Sequence, residues 1–159
     1  MKRLSFLIAA AFAAVVTLPA SAAELEVREP TVVLAPPGAY ATAAFMELRN
    51  ASEAPVNVVG ADAPGFETVE LHRSFNEDGM HRMVRQERIQ VPAGESVSLA
   101  PGGLHIMLIG PEQAPTEGQR IPIELRFDDG SRQTVDAVVR PREARPAGHD
   151  HGDGGHHSH

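Results

Sequence analysis

Proline, glycine, asparagine and aspartate interrupt this chain at short intervals, and each interruption closes a short apolar or β-branched run. Leu25 to Leu34 stops at Ala35-Pro36-Pro37-Gly38, Ala41 to Leu48 stops at Asn50, and Val56 to Ala61 stops near Pro64-Gly65. Thr68 to His72 is followed by the turn sequence Asn76-Glu77-Asp78-Gly79, and Met80 to Val91 comes next. Ser96 to Leu99 leads into Pro101-Gly102-Gly103, and Leu104 to Ile109 ends at Gly110-Pro111. Ile121 to Phe127 alternates, with Ile121, Ile123, Leu125 and Phe127 on one side, and Asp128-Asp129-Gly130 turns it into Gln133 to Val139. Eight or nine short strands at this spacing, without a helical period, predict an all-β fold: an antiparallel β-sandwich. Pro122 within a strand predicts an edge position or a bulge.

The two ends are of different material. Lys2 and Arg3 precede an apolar run from Leu4 to Leu18 and then Pro19-Ala20-Ser21-Ala22. This order predicts a cleaved secretory leader over 1–22 and an exported, periplasmic product. The competing reading is a permanent membrane anchor, but the run is shorter than the ~20 residues a bilayer demands. No second apolar stretch follows, so no membrane span is expected after cleavage. Residues 23–140 form the predicted domain. Residues 141–159, rich in Pro, Gly, Asp and His and lacking large apolar side chains, form a predicted disordered tail.

Without Lys2 and Arg3, twelve arginines face twenty-one acids, a formal charge of −9 with histidine neutral. Such a chain suits neither nucleic acid nor anionic lipid. It also contains no cysteine, which excludes disulfides, thiolate nucleophiles and Cys-ligated blue-copper electron-transfer sites. Any metal chemistry falls to imidazole, thioether and oxygen.

Three histidines lie in the predicted domain, at 72, 81 and 105, and methionines lie near them at 80, 83 and 107. Residues i and i+2 of a strand share a face. His105 and Met107 therefore project together, while Ile106 and Leu108 point toward the core. A hairpin at Asn76 to Gly79 would bring Met83 within reach of His72. Two imidazoles with two neutral, soft thioethers favour Cu(I) over Cu(II) and over hard ions, whereas zinc is normally held by His, Cys or carboxylate. On residue types alone, the alternative is that these methionines fill a core. No carboxylate or histidine is evidently placed as a general base, so an enzyme is not expected.

The full spacing goes further. His72, ten residues, Met83, twenty-one residues, His105, one residue, Met107 matches the signature of the periplasmic copper chaperones of the PCu(A)C family. Val69-Glu70-Leu71-His72, Asp78-Gly79-Met80-His81-Arg82-Met83 and Pro101-Gly102-Gly103-Leu104-His105-Ile106-Met107-Leu108 resemble that family as well. The resemblance extends over about Leu25 to Val139. It implies a cupredoxin-like Greek-key sandwich that binds Cu(I) through His72, Met83, His105 and Met107. It also implies delivery to the dinuclear copper centre of cytochrome c oxidase, directly or through a Sco-type copper protein.

Met80 and His81 are open between a place beside the site and a solvent-facing turn. Met46 is expected in the core. Arg73, Arg82 and Arg85 flank the candidate ligands and could dock an acidic partner. Asn50-Ala51-Ser52 has the form of a glycosylation acceptor and is read as a turn. In the tail, His149, His151, His156, His157 and His159 stand beside Asp150 and Asp153, a mixture of imidazole and carboxylate suited to Cu(II). The run is broken by Gly, Asp and Ser, unlike a purification tag. A sequestering or resistance protein that buffers copper through this tail is the alternative to a carrier.

Overall fold

The computed structural model describes residues 23–142; the leader and the five tail histidines lie outside them. Ten strands follow in chain order: β1 (Glu26–Val33), β2 (Ala41–Arg49), β3 (Val56–Asp62), β4 (Phe66–Glu77), β5 (Met80–Arg85), β6 (Ile89–Val91), β7 (Ser96–Leu99), β8 (Leu104–Pro111), β9 (Arg120–Phe127) and β10 (Arg132–Arg140). Among the described residues no helix is long and apolar enough to cross a membrane.

Period-two patterning determines which side chains enter the core. In β9, Ile121, Ile123, Leu125 and Phe127 are all buried, while Arg120, Pro122 and Arg126 are exposed. β2 buries Thr42, Ala44, Met46 and Leu48, so Met46 belongs to the core as expected. β8 adds Ile106 and Leu108, and β10 adds Val135, Ala137 and Val139. Apart from Thr42, these side chains belong to one apolar cluster to which every strand but β5 contributes.

The ladder runs β5-β4-β8-β7-β2-β1-β10-β9-β3-β6, with an extra pairing of β8 on β2. Neighbours distant in sequence, such as β4 with β8 and β3 with β9, are the crossovers of a Greek-key arrangement. β3 also contacts β4 although they stand near opposite ends of the ladder, so the sheet folds back on itself around the core. Most pairings are antiparallel, but β1 with β10 and β7 with β8 are parallel. Pro122 pairs with Asp136 of β10 and lies outside the stretch of β9 that β3 pairs, so that neighbour loses no hydrogen bond to it.

Two expected boundaries move. β4 does not stop at His72 but continues to Glu77, and the turn contracts to Asp78 and Gly79, with φ of 52° and 78°. A type I′ turn matches the twist of its strands and needs positive φ at both central residues, which Asp-Gly adopts at low cost. Asn76 and Glu77 thereby remain in the ladder, opposite His81 and Met80. The expected strand Met80 to Val91 is two strands, because β5 pairs with β4 and β6 with β3.

Candidate metal centre

Register places the candidate ligands on one face. In the antiparallel pair of β4 and β8, His72 stands opposite His105 and Glu70 opposite Met107. In the pair of β4 and β5, Ser74 stands opposite Met83 and His72 opposite Arg85. Opposed residues share a face, as do residues two apart. One side of these three strands thus presents Glu70, His72, Met83, Arg85, His105 and Met107. The other side presents Leu71, Ile106 and Leu108 to the core. Met83 is the diagonal neighbour of His72, at ~7–8 Å between backbones, a distance that a long thioether spans.

The four side chains differ in how firmly they are held. His105 is 3% exposed; its ring centroid lies 5.8 Å from that of His72 and 6.3 Å from that of Phe45. Nδ1 of His105 stands 3.1 Å from the Gly103 carbonyl oxygen. A carbonyl only accepts, so Nδ1 carries the proton and Nε2 keeps a free lone pair. Burial pushes this imidazole below its ordinary value, and the Gly103 bond opposes that shift. It therefore stays neutral, as a ligand must. Met107 is half-buried, and Met83, on the edge strand β5, is 51% exposed.

His72 is fixed by Glu70, its neighbour two residues back on the same face of β4. Its Nε2 lies 2.7 Å from Oε2 of Glu70, and the other carboxylate oxygen of Glu70 lies 3.2 Å from Nη1 of Arg85. The hydrogen bond from His72 holds the Glu70 carboxyl below the usual carboxylate range, and Arg85 reinforces this. An ionised carboxylate only accepts, so Nε2 carries the proton. Nδ1 of His72 is buried with no hydrogen-bond partner. An unpaired buried polar atom costs about 1–3 kcal/mol, and a metal ion would remove that cost. The signal for Glu70 was present, since a residue two before His72 in a strand must share its face.

The remaining side chains sort by the same register. His81 lies on the ligand face, two residues from Met83, whereas Met80 shares the opposite face with Phe75 and Glu77. Both are exposed. Arg73 and Arg82 also point away from the ligand face, and Arg82 is paired with Glu77 at 3.1 Å. Asn50 is wholly buried, accepts from the backbone N–H and hydroxyl of Ser52, and donates to the Ala54 and Val91 carbonyls. It is a turn residue. Among the described residues, no three His, Asp or Glu side chains form a group that could hold a metal ion. The thioethers on the same face are soft, neutral donors, which favour Cu(I) over hard ions.

The family described as "Putative lipoprotein LpqE-like" matches residues 25–139. This chain belongs to the LpqE-like family. The LpqE-like chain is similar to putative lipoprotein Lxx21020 of Leifsonia xyli subsp. xyli, with 36% identity over 104 residues, 65% of this chain and 63% of that protein. It is also similar to the protein RP573 of Rickettsia prowazekii, with 29% identity over 96 residues, 60% of this chain and 51% of that one. It thus spans less than two thirds of the length of these curated relatives. Among solved structures, CuI-DR1885 from Deinococcus radiodurans is 31% identical, with a TM-score of 0.64 and coverage of 78% of this chain and 83% of that one. The copper-bound PCuAC domain from PmoF2 is 21% identical, with a TM-score of 0.64 over 77% of this chain and 97% of that domain. The second likeness is one of fold alone: the LpqE-like chain shares the all-β, cupredoxin-like fold of that domain.

Proposed function

We propose that this protein is an exported copper carrier whose domain holds one Cu(I) through His72, Met83, His105 and Met107. The observation that supports it most is the common face of β4, β5 and β8, which collects two imidazoles and two thioethers. This neutral donor set leaves the ion its single charge and suits Cu(I) over zinc or Cu(II). Likeness to a copper-bound PCuAC domain and to CuI-DR1885 supports the same reading.

Unequal exposure suggests the order of release. His105 is buried and tied to Gly103, whereas Met83 stands half exposed on an edge strand. A recipient replaces Met83 first and reaches His105 last. The recipient in this reading is the copper centre of cytochrome c oxidase or a Sco-type copper protein in the periplasm. Four protein ligands close the coordination sphere, which suits carriage and not catalysis.

X-ray absorption of the Cu(I) form tests the site. Mixed nitrogen and sulfur ligation is expected, and a coordination shell without sulfur overturns the assignment. The second reading, a protein that buffers excess copper, draws on the tail histidines 149, 151, 156, 157 and 159. Several ions bound per chain, with no transfer of Cu(I) to an oxidase copper domain, would favour it.

A further inference from the structure

The two imidazoles are anchored by unlike acceptors. His105 gives its Nδ1 proton to a backbone carbonyl 3.1 Å away. His72 faces the carboxylate of Glu70 at 2.7 Å through Nε2, and Arg85 holds the second oxygen of that carboxylate at 3.2 Å. Glu70 and His72 alternate along β4, and Arg85 stands directly opposite His72 on β5. Backbone register alone thus assembles the row Arg85, Glu70, His72. The only ring nitrogen of His72 left with a lone pair is Nδ1, which is buried and unpartnered.

We propose that Glu70, braced by Arg85, is a positioning residue that holds His72 as the Nε2–H tautomer and thereby commits Nδ1 to the copper ion. This rests on the Cu(I) reading above and deepens it: His72 binds through Nδ1, and His105 through Nε2. A carboxylate behind a ligating imidazole fixes both ring orientation and tautomer, and its loss typically weakens metal affinity by about 10–100-fold. The charge-assisted bond also makes the imidazole a better donor to the metal. Arg85 acts one step further out: it holds the second oxygen of the carboxylate whose first oxygen meets Nε2.

The test uses the full chain and its Glu70→Ala, Glu70→Gln and Arg85→Gln variants. Nitrogen-15 NMR of the apo protein reads the His72 tautomer without any metal. Wild type should show Nε2 protonated and Nδ1 bare, and Glu70→Ala should shift His72 toward a mixture at unchanged melting temperature. In competition with a chromophoric Cu(I) chelator, Glu70→Ala should bind about 10–100-fold more weakly. Glu70→Gln can still accept through its amide oxygen and should lose less, and Arg85→Gln should lose least. A wild-type His72 protonated on Nδ1, or a Glu70→Ala affinity equal to wild type, overturns the proposal. Failure of wild type to take up Cu(I) would instead refute the copper reading, and the apo tautomer would still test the brace.

Discussion

His72 and His105 stand directly opposite one another across β4 and β8, with ring centroids 5.8 Å apart and planes inclined at 55°. Their surroundings are unequal: one ring is backed by a carboxylate, the other by a backbone carbonyl within a buried setting. The thioethers enter from either side, Met107 along β8 and Met83 from the edge strand. Separate consequences follow for each side chain.

Removing a thioether should separate binding from folding. Met83→Ala removes an exposed side chain and should change apo stability by less than about 0.5 kcal/mol. Met107→Ala should likewise leave a folded apo protein. Both should abolish tight Cu(I) binding in chelator competition, while circular dichroism stays that of wild type. Unfolding of the Met107→Ala apo protein would make Met107 a core residue and not a ligand.

The apo protein should weaken in mild acid, partly through His105. Its folded pKa lies below the ordinary 6.5 because burial disfavours the charged ring. Between the two values the unfolded chain holds more protons, so stability falls as pH drops below about 6.5 and stops falling below the folded value. Urea denaturation at a series of pH values should show this slope, and His105→Gln should flatten it.

Leu125→Ala should cost about 2–5 kcal/mol. Leu125 is fully buried within β9, in the apolar cluster to which every strand but β5 contributes. Urea melts should show the loss, while Cu(I) affinity of the protein still folded stays near wild type.

Gly79→Ala should weaken copper binding more than its effect on the core suggests. Gly79 has φ of 78° with open space around its Cα, so the penalty is backbone strain of about 1–2 kcal/mol and not a clash. The strain falls on the hairpin that sets Met83 opposite Ser74. Loss of Cu(I) affinity with a core melting transition close to wild type is the expected pair of results.

The five tail histidines should take Cu(II) independently of the domain. Cutting the chain after Pro146 should leave one Cu(I) bound and remove the Cu(II) held outside the domain. Free imidazole titrates near ~6.5, so tail binding should decline as pH falls through about 6 to 5. Equal Cu(II) uptake by the cut and full chains, measured by calorimetry, would reduce the tail to a solubilising extension.

Much of the architecture was legible because strand patterning has period two and turns carry their own chemistry. The alternation in Ile121 to Phe127 identified a core face without reference to any partner strand. The same rule put His105 and Met107 side by side and sent Ile106 and Leu108 inward. The extent of β4 was less legible, because Asn76 and Glu77 suit a turn as readily as a strand end. Only the pairing with β5 keeps them in the ladder.

By itself, the sequence determined the set of candidate donors. No cysteine is present, and the spacing of His72, Met83, His105 and Met107 leaves a soft, neutral quartet as the strongest candidate. Tertiary structure decided how those donors are aimed. The two-residue turn at Asp78 and Gly79 sets the register that places Met83 diagonal to His72, and it turns His81 toward the ligand face and Met80 away. The crossover that lays β8 against β4 brings His105 opposite His72 from thirty-three residues away. Glu70 became part of the site only when Arg85 arrived across the hairpin and His72 turned its Nε2 toward it. Period along one strand is a local property, whereas register between strands depends on turns and crossovers that distant contacts select.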